Sequence, residues 1–191
     1  MDNVEIEIQV KIENSNPLLE FLNKNGKFKY ETHQIDEYFI PAHRDFIAVR
    51  PINEWLRLRD SSGKLSINYK NWHRDENGKS IYCDEYELSI EDINRMKRIM
   101  QALNFKSVTI VDKTRKSWDY KDYEVSMDSI KELGDFVEIE YKGDDKNADP
   151  KKITAGMIKF LKDVGCGKIE QNHVGYPFQL LFPDEVKFEE Q

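Results

Sequence analysis

The sequence predicts an α+β fold: an eight-stranded antiparallel sheet closed into a β-barrel, with amphipathic helices packed around it. Three observations predict it. Eight segments alternate apolar and polar residues with the period of a strand, short polar turns separate neighbouring strands, and three longer segments carry capping residues around a helical apolar repeat. A chain of 191 residues suits one domain, read here as residues 1–183, followed by an acidic tail over 184–191.

The first strand is VEIEIQVKI, from Val4 to Ile12, with Glu5, Glu7, Gln9 and Lys11 on one face. A helix follows in NPLLEFLNKNG, where Asn16 can cap, Pro17 suits the first helical position and Gly26 stops the turn. Next come the strands HQIDEYFI, WLRLRD, KLSINYK and CDEYELSI, with hairpin signals at Asp60-Ser61-Ser62-Gly63 and Asn77-Gly78. The polar stretch NWHRDENGKSIYCD reads as a surface loop, or alternatively as a lid whose Trp72 would stack on a nucleobase beside His73 and Arg74. The second helix, SIEDINRMKRIMQALNF, pairs Ser89 with Asp92 as a capping box and places Ile93, Met96, Met100 and Leu103 on one face. Strands SVTIVDKTRK, KDYEVSM and FVEIEY precede the third helix, DPKKITAGMIKFLKDVG, which buries Ile153, Met157, Leu161 and Val164 and ends at Gly165. The tail PDEVKFEEQ is expected to be partly loose.

Charged residues make up 34% of the chain and the net charge is -7, which argues against coating a nucleic acid, since that role needs a basic excess. There is no apolar run of membrane-spanning length, and a start carrying Asp2 and Glu5 does not read as a signal peptide, so no membrane association and a cytoplasmic location are expected. Cys83 and Cys166 lie far apart with no metal or disulfide spacing. A homodimer is compatible with the sequence, but no motif specifies one.

The strand faces carry the chemistry. A solvated strand face mixes signs, because neighbouring like charges repel. Here Glu5/Glu7, Glu85/Glu87 and Glu138/Glu140 are acidic pairs and Arg57/Arg59 and Lys113/Arg115 are basic pairs, each two residues apart on one strand. At roughly 7 Å, two like charges cost about 2 kcal/mol at an effective dielectric of about 20. Inside a barrel this needs compensation. Carboxylate oxygens call for a hard divalent cation such as Mg²⁺ or Mn²⁺, and clustered guanidinium and ammonium groups call for a polyanion. Other motifs fail: HRDF at His43–Phe46 lacks the Asn of a kinase catalytic loop, with Arg50 in its place, and GCGK is followed by Ile169 where a phosphate loop has Ser or Thr. The four histidines show no metal-ligand spacing.

These pairs, with EIEIQVK, QIDEYF followed by HRDF, WLRLR, NYK, DEYEL, VDKTR and above all SMDSIKELGDFVEIEY, give the chain a pattern that resembles the CYTH superfamily, the triphosphate tunnel metalloenzymes, and within it the class IV adenylyl cyclase branch. The resemblance implies an eight-stranded tunnel in which Glu5, Glu7, Glu138 and Glu140 hold Mg²⁺ or Mn²⁺, with Glu85, Glu87 and Asp128 nearby as further ligands or orienting groups. It implies that Arg57, Arg59, Lys70, Lys113, Arg115 and Lys11 bind the phosphates of ATP or another triphosphate, with Lys113, Arg115 and Asp128 as the catalytic set. Asn68 shares the face of Lys70. Gln9 departs from the family's Glu-x-Glu-x-Lys pattern, which has Lys there; Lys11 lies one pleat further on. The implied activity is conversion of ATP to cyclic AMP and pyrophosphate. A triphosphatase acting on tripolyphosphate, thiamine triphosphate or a nucleotide, and a non-catalytic nucleotide or polyphosphate sensor, are the alternatives.

Overall fold

The structure, a computed structural model, describes residues 4–144 and 149–191. In chain order the strands are β1 (Val4–Glu5), β2 (Glu7–Ile12), β3 (Lys27–Ile40), β4 (Glu54–Ser61), β5 (Lys64–Arg74), β6 (Ser80–Ser89), β7 (Lys106–Tyr120), β8 (Tyr123–Ile130), β9 (Gly134–Tyr141), β10 (Ile169–Gln171) and β11 (Glu189–Glu190). The helices are α1 (Asn16–Asn25), α2 (Ile93–Ala102), α3 (Pro150–Val164) and the short α4 (Tyr176–Leu181). Among the described residues the strands form one sheet in the order β1-β6-β5-β4-β3-β7-β8-β9-β2-β10-β11, and every pairing is antiparallel. The eight expected strands are all present. The first is broken at Ile6, and two short strands near the end of the chain, invisible to alternation because of their length, bring the described total to eleven.

The break has a topological result: Val4 and Glu5 pair with Asp84 and Cys83 of β6, while Glu7 to Val10 pair with Glu140 to Val137 of β9. One short segment is thus hydrogen-bonded to strands far apart in the sheet order. Alternation sets the faces. On β2, Ile8 and Val10 are buried against Leu18 and Leu22 of α1 and Met157 and Leu161 of α3, so Glu7 and Gln9 point the opposite way. Val137 and Ile139 of β9 join the same core, which turns Glu138 and Glu140 to the polar side. On β4 and β5, Leu58 and Ile67 pack with Met100 of α2.

Local chemistry explains most element ends. The Ser62-Gly63 turn has positive φ at both residues, as a two-residue hairpin of matching twist requires. Asp149 caps α3 by accepting from Lys151 N, and Gly165 ends it in the left-handed conformation at φ 90°. Some expectations differ. Asp92 alone caps α2, accepting from Arg95 N at 2.9 Å, because Ser89 is still held in β6. Leu103 lies past the end of α2 and is 62% exposed, since the sheet below it is already covered by Met100, Met96 and Ile93. The expected loop over 71–84 is mostly strand: the ladder pairs Trp72 with Cys83 and His73 with Tyr82, leaving a turn tied by Asp75. The acidic end, expected to be partly loose, pairs Glu189–Glu190 with β10 and places Glu185 on Arg50. No helix among the described residues is long and apolar enough to cross a membrane.

This packing separates two leucines on opposite sides of the expectation. Leu161→Ala removes a fully buried side chain from the core under α1 and α3 and should lower unfolding free energy by about 3 kcal/mol in urea titration, whereas Leu103→Ala should change it by less than about 0.5 kcal/mol.

Candidate functional site

The polar strand faces line a cavity of about 250 Å³. One side is basic. Arg57 and Arg59 of β4 stand over Asp36 of β3, which the register places directly opposite Arg59. Arg59 Nε and Nη2 donate to the two Asp36 oxygens at 2.6 Å each, and Arg57 Nη1 lies 3.5 Å from the same carboxylate. The arrangement recurs on β7 and β8. Arg115 Nε and Nη2 donate to Asp128 at 2.6 Å each, Lys113 Nζ lies 3.4 Å from it, and the Tyr176 hydroxyl donates to it at 2.9 Å. Burial pushes both aspartates up, but the adjacent cations outweigh it and hold them well below the usual carboxylate range. Each group therefore carries two cations on one anion, leaving net positive charge for the cavity. Burial and the Arg115 charge push Lys113 down to about 8.

The other side is acidic. Glu5 and Glu7 come from β1 and β2, Glu138 and Glu140 from β9, and Glu85 and Glu87 from β6. Glu7 faces Glu140 across the β2–β9 ladder, and Gln9 faces Glu138. Burial and the charge of Glu5 raise Glu7 well above its ordinary value, with Glu138 and Glu140 adding to the effect. Glu140 is pushed up to about 7 by burial and Glu5. Burial also opposes ionisation of Glu5, yet Lys70 overrides it and keeps that carboxyl low. Lys70 Nζ contacts Glu5 and lies 3.5 Å from Glu7 and 3.7 Å from Glu85, while Asn68 Nδ2 donates to Glu85 at 2.6 Å.

The donor chemistry of this wall suits a hard cation: its acidic groups are all carboxylates, and burial together with their mutual repulsion disfavours ionisation of Glu7. Among the described residues, however, no three such groups stand as a ready ligand set, and the carboxylates are instead paired with Lys70, with Arg115 at 2.8 Å from Glu138, and with Lys142 at 2.5 Å from Glu140. A dication at Glu5, Glu7, Glu138 and Glu140 would take over charge compensation now supplied by these three side chains.

Of the residues singled out from sequence, Glu5, Glu7, Arg57, Arg59, Lys70, Glu85, Glu87, Lys113, Arg115, Glu138 and Glu140 all line this cavity, and Asn68 joins them. Two do not. Lys11 lies further along β2, with its ammonium over the rings of Phe136 and Phe188 at 4.8 and 5.1 Å and its proton directed to the Leu133 carbonyl at 3.4 Å. Asp128 lies beneath Arg115 and Lys113, its oxygens taken up by them and by Tyr176, so it positions those cations from behind. The sequence reading missed Asp36, Glu124, Lys142 and Tyr176. Asp36 had a usable signal, since it stands two residues before Tyr38 on the alternation of QIDEYF. Tyr176 had none, because α4 is too short to show a repeat.

Comparison with known proteins agrees with this architecture. The CYTH domain matches residues 3–170. A Methanocaldococcus jannaschii protein named "Putative adenylate cyclase" is 36% identical over 166 residues, covering 86% of this chain and 91% of that protein. The PH1819 protein of Pyrococcus horikoshii superposes with a TM-score of 0.76 at 27% identity, covering 95% of this chain and 99% of that one. A Hippeastrum protein described as a "putative adenylyl cyclase" with a dominant triphosphatase activity shares the fold at a TM-score of 0.67 and 18% identity over 96% of this chain and 100% of that one. With the family match spanning most of its length and a relative of this identity, the chain belongs to the CYTH domain family.

Proposed function

We propose that this protein is a divalent-metal-dependent enzyme that binds a triphosphate inside a closed eight-stranded tunnel and converts ATP to cyclic AMP and pyrophosphate. What supports the closed ring is that β1 pairs with β6 and the adjoining β2 with β9, so that one short segment bridges strands far apart in the sheet order. The observation that carries the reading is the pair of two-cation, one-carboxylate groups, Arg57/Arg59 on Asp36 and Lys113/Arg115 on Asp128, facing an acidic wall across one cavity.

Under this reading Arg57, Arg59, Lys113 and Arg115 take the phosphate oxygens. Fixed by Asp36 and Asp128, the guanidinium forks need little reorganisation to bind. Glu5, Glu7, Glu138 and Glu140 would hold Mg²⁺ or Mn²⁺, which supplies charge neutralisation at the phosphates as a Lewis acid. With Glu5 so engaged, Lys70, now paired with it, would be free to serve the polyphosphate. Attack of the ribose 3′-oxygen on the α-phosphorus forms the cyclic ester and breaks the bond to the β-phosphate bridge, and the proton of the hydroxyl is lost to a base. Trp72, which lines the cavity 5.8 Å from the Lys70 ammonium, is the candidate contact for the base. A second reading, hydrolysis of a triphosphate to orthophosphate, is favoured by the predominance of charged side chains in the cavity, and the triphosphatase activity described for the Hippeastrum homologue agrees with it.

Incubation with ATP and Mg²⁺ or Mn²⁺, with products separated by chromatography, should give cyclic AMP and pyrophosphate. Chelation should abolish turnover, and Glu138→Ala should lower it at least about a hundredfold. Orthophosphate without cyclic AMP, strongest with tripolyphosphate, would replace cyclisation by hydrolysis, and neither product nor binding would overturn the reading. A second expectation concerns pH. Lys113 loses its charge as pH rises through about 8, so kcat/KM should fall on the alkaline side by up to about tenfold per unit, and Lys113→Arg should shift that limb upward.

A further inference from the structure

The family match ends at residue 170, yet the segment beyond it reaches into the cavity. Gly175, Tyr176 and Pro177 line the cavity, and α4 also carries Gln179, three residues after Tyr176, which lies behind the lining and touches the cavity residue Gln9. The Tyr176 hydroxyl donates to Asp128 Oδ2 at 2.9 Å, on the carboxylate that carries Arg115 and Lys113. Gln179 Nε2 donates to Gln9 Oε1 at 3.1 Å, in the middle of the acidic wall. Tyr176 and Gln179 are both buried, and each is engaged with a site residue from outside the segment.

The segment is also held at both ends. Before α4, Arg74 Nη1 donates to the His173 carbonyl at 2.8 Å and to the Gly78 carbonyl at 3.0 Å, tying the segment to the β5–β6 turn. After α4, Arg50 lies over the Phe182 ring at 3.9 Å and donates through Nε to Glu185 at 2.8 Å. Between them, Tyr176 and Phe178 pack with Val111, Ile130 and Phe136.

We infer that α4 is a built-in part of the phosphate site, with Tyr176 and Gln179 as positioning residues. Tyr176 satisfies the one Asp128 oxygen that also serves Lys113 and Arg115, so the carboxylate keeps a fixed orientation and holds both cations toward the cavity. Gln179 fixes the Gln9 amide by its oxygen, which leaves the Gln9 NH₂ as the end available to donate to a phosphate oxygen. In this way an uncharged side chain serves as a donor between the carboxylates of β2 and β9. The inference rests on the triphosphate reading of the cavity.

The test is calorimetric binding of inorganic tripolyphosphate to the full chain, for wild type, Tyr176→Phe, Gln179→Ala, Gln9→Ala and the Gln9→Ala/Gln179→Ala double variant, each with its thermal midpoint. Tyr176→Phe keeps the packed ring and loses only the hydroxyl, so a folded variant is expected. Tyr176→Phe and Gln179→Ala should each weaken binding roughly tenfold, the size of one hydrogen bond to a charged or buried group, and Gln179→Ala should add less than about twofold once Gln9 is alanine. A purely structural role would lower the midpoint and leave the dissociation constant of folded protein unchanged, which would overturn the inference, as would losses at Gln9 and Gln179 that simply multiply. Wild-type protein that fails to bind tripolyphosphate, with Arg59→Ala equally inert, would overturn the triphosphate reading and this inference with it.

Discussion

A cavity that gathers Arg57, Arg59, Lys113 and Arg115 has to cancel much of their mutual repulsion before the sheet around it can form. Asp36 and Asp128 do this from below, each buried and each accepting two charge-assisted hydrogen bonds from a guanidinium. Such a bond contributes about 1.5–3 kcal/mol, and stripping one partner from a buried pair costs about 3–5 kcal/mol, so these contacts set both the stability of the strands and the direction of the cations. The compensation is deliberately incomplete in charge. Two cations over one carboxylate leave an excess that Glu138, 2.8 Å from Arg115, and Glu85, 4.0 Å from Arg57, offset only from the opposite wall.

The acidic wall obeys the same constraint with the signs reversed. Glu5, Glu7 and Glu85 surround one ammonium, that of Lys70, and Glu7 remains hard to ionise. The two halves already touch: Arg115 reaches Glu138 as well as Asp128, and Arg57 lies 4.0 Å from Glu85. The site is therefore an ion-pair network in which the cations and carboxylates of the two walls compensate one another.

The sheet makes this possible by reversing the usual use of alternation. Apolar residues such as Ile8, Val10, Val137 and Ile139 face outward to α1 and α3, so the hydrophobic core lies between sheet and helices and the polar faces point at one another. The helices are thus more than a coat. Burying the outer face supplies the apolar area that offsets a polar interior.

The strands, three of the helices and nearly every charged residue of the cavity were determined by sequence alone, because period-two alternation fixes which residues share a face and i, i+2 like-charge pairs are conspicuous within a single strand. What only the tertiary structure decided depends on neighbours distant in sequence. Lys11 continues the face of Glu5 and Glu7 by alternation, but the strand carries it past the cavity and onto Phe136 and Phe188. Asp128 sits on the correct face, but its depth beneath Arg115 is set by strand pairing and by Tyr176 arriving from the far end of the chain. Asp36 becomes the partner of Arg59 through cross-strand register, and Gln9 acquires its partner Gln179 across 170 residues. Periodicity is a local property of the chain; which charge compensates which is settled only when the strands are in register and the chain end is packed against them.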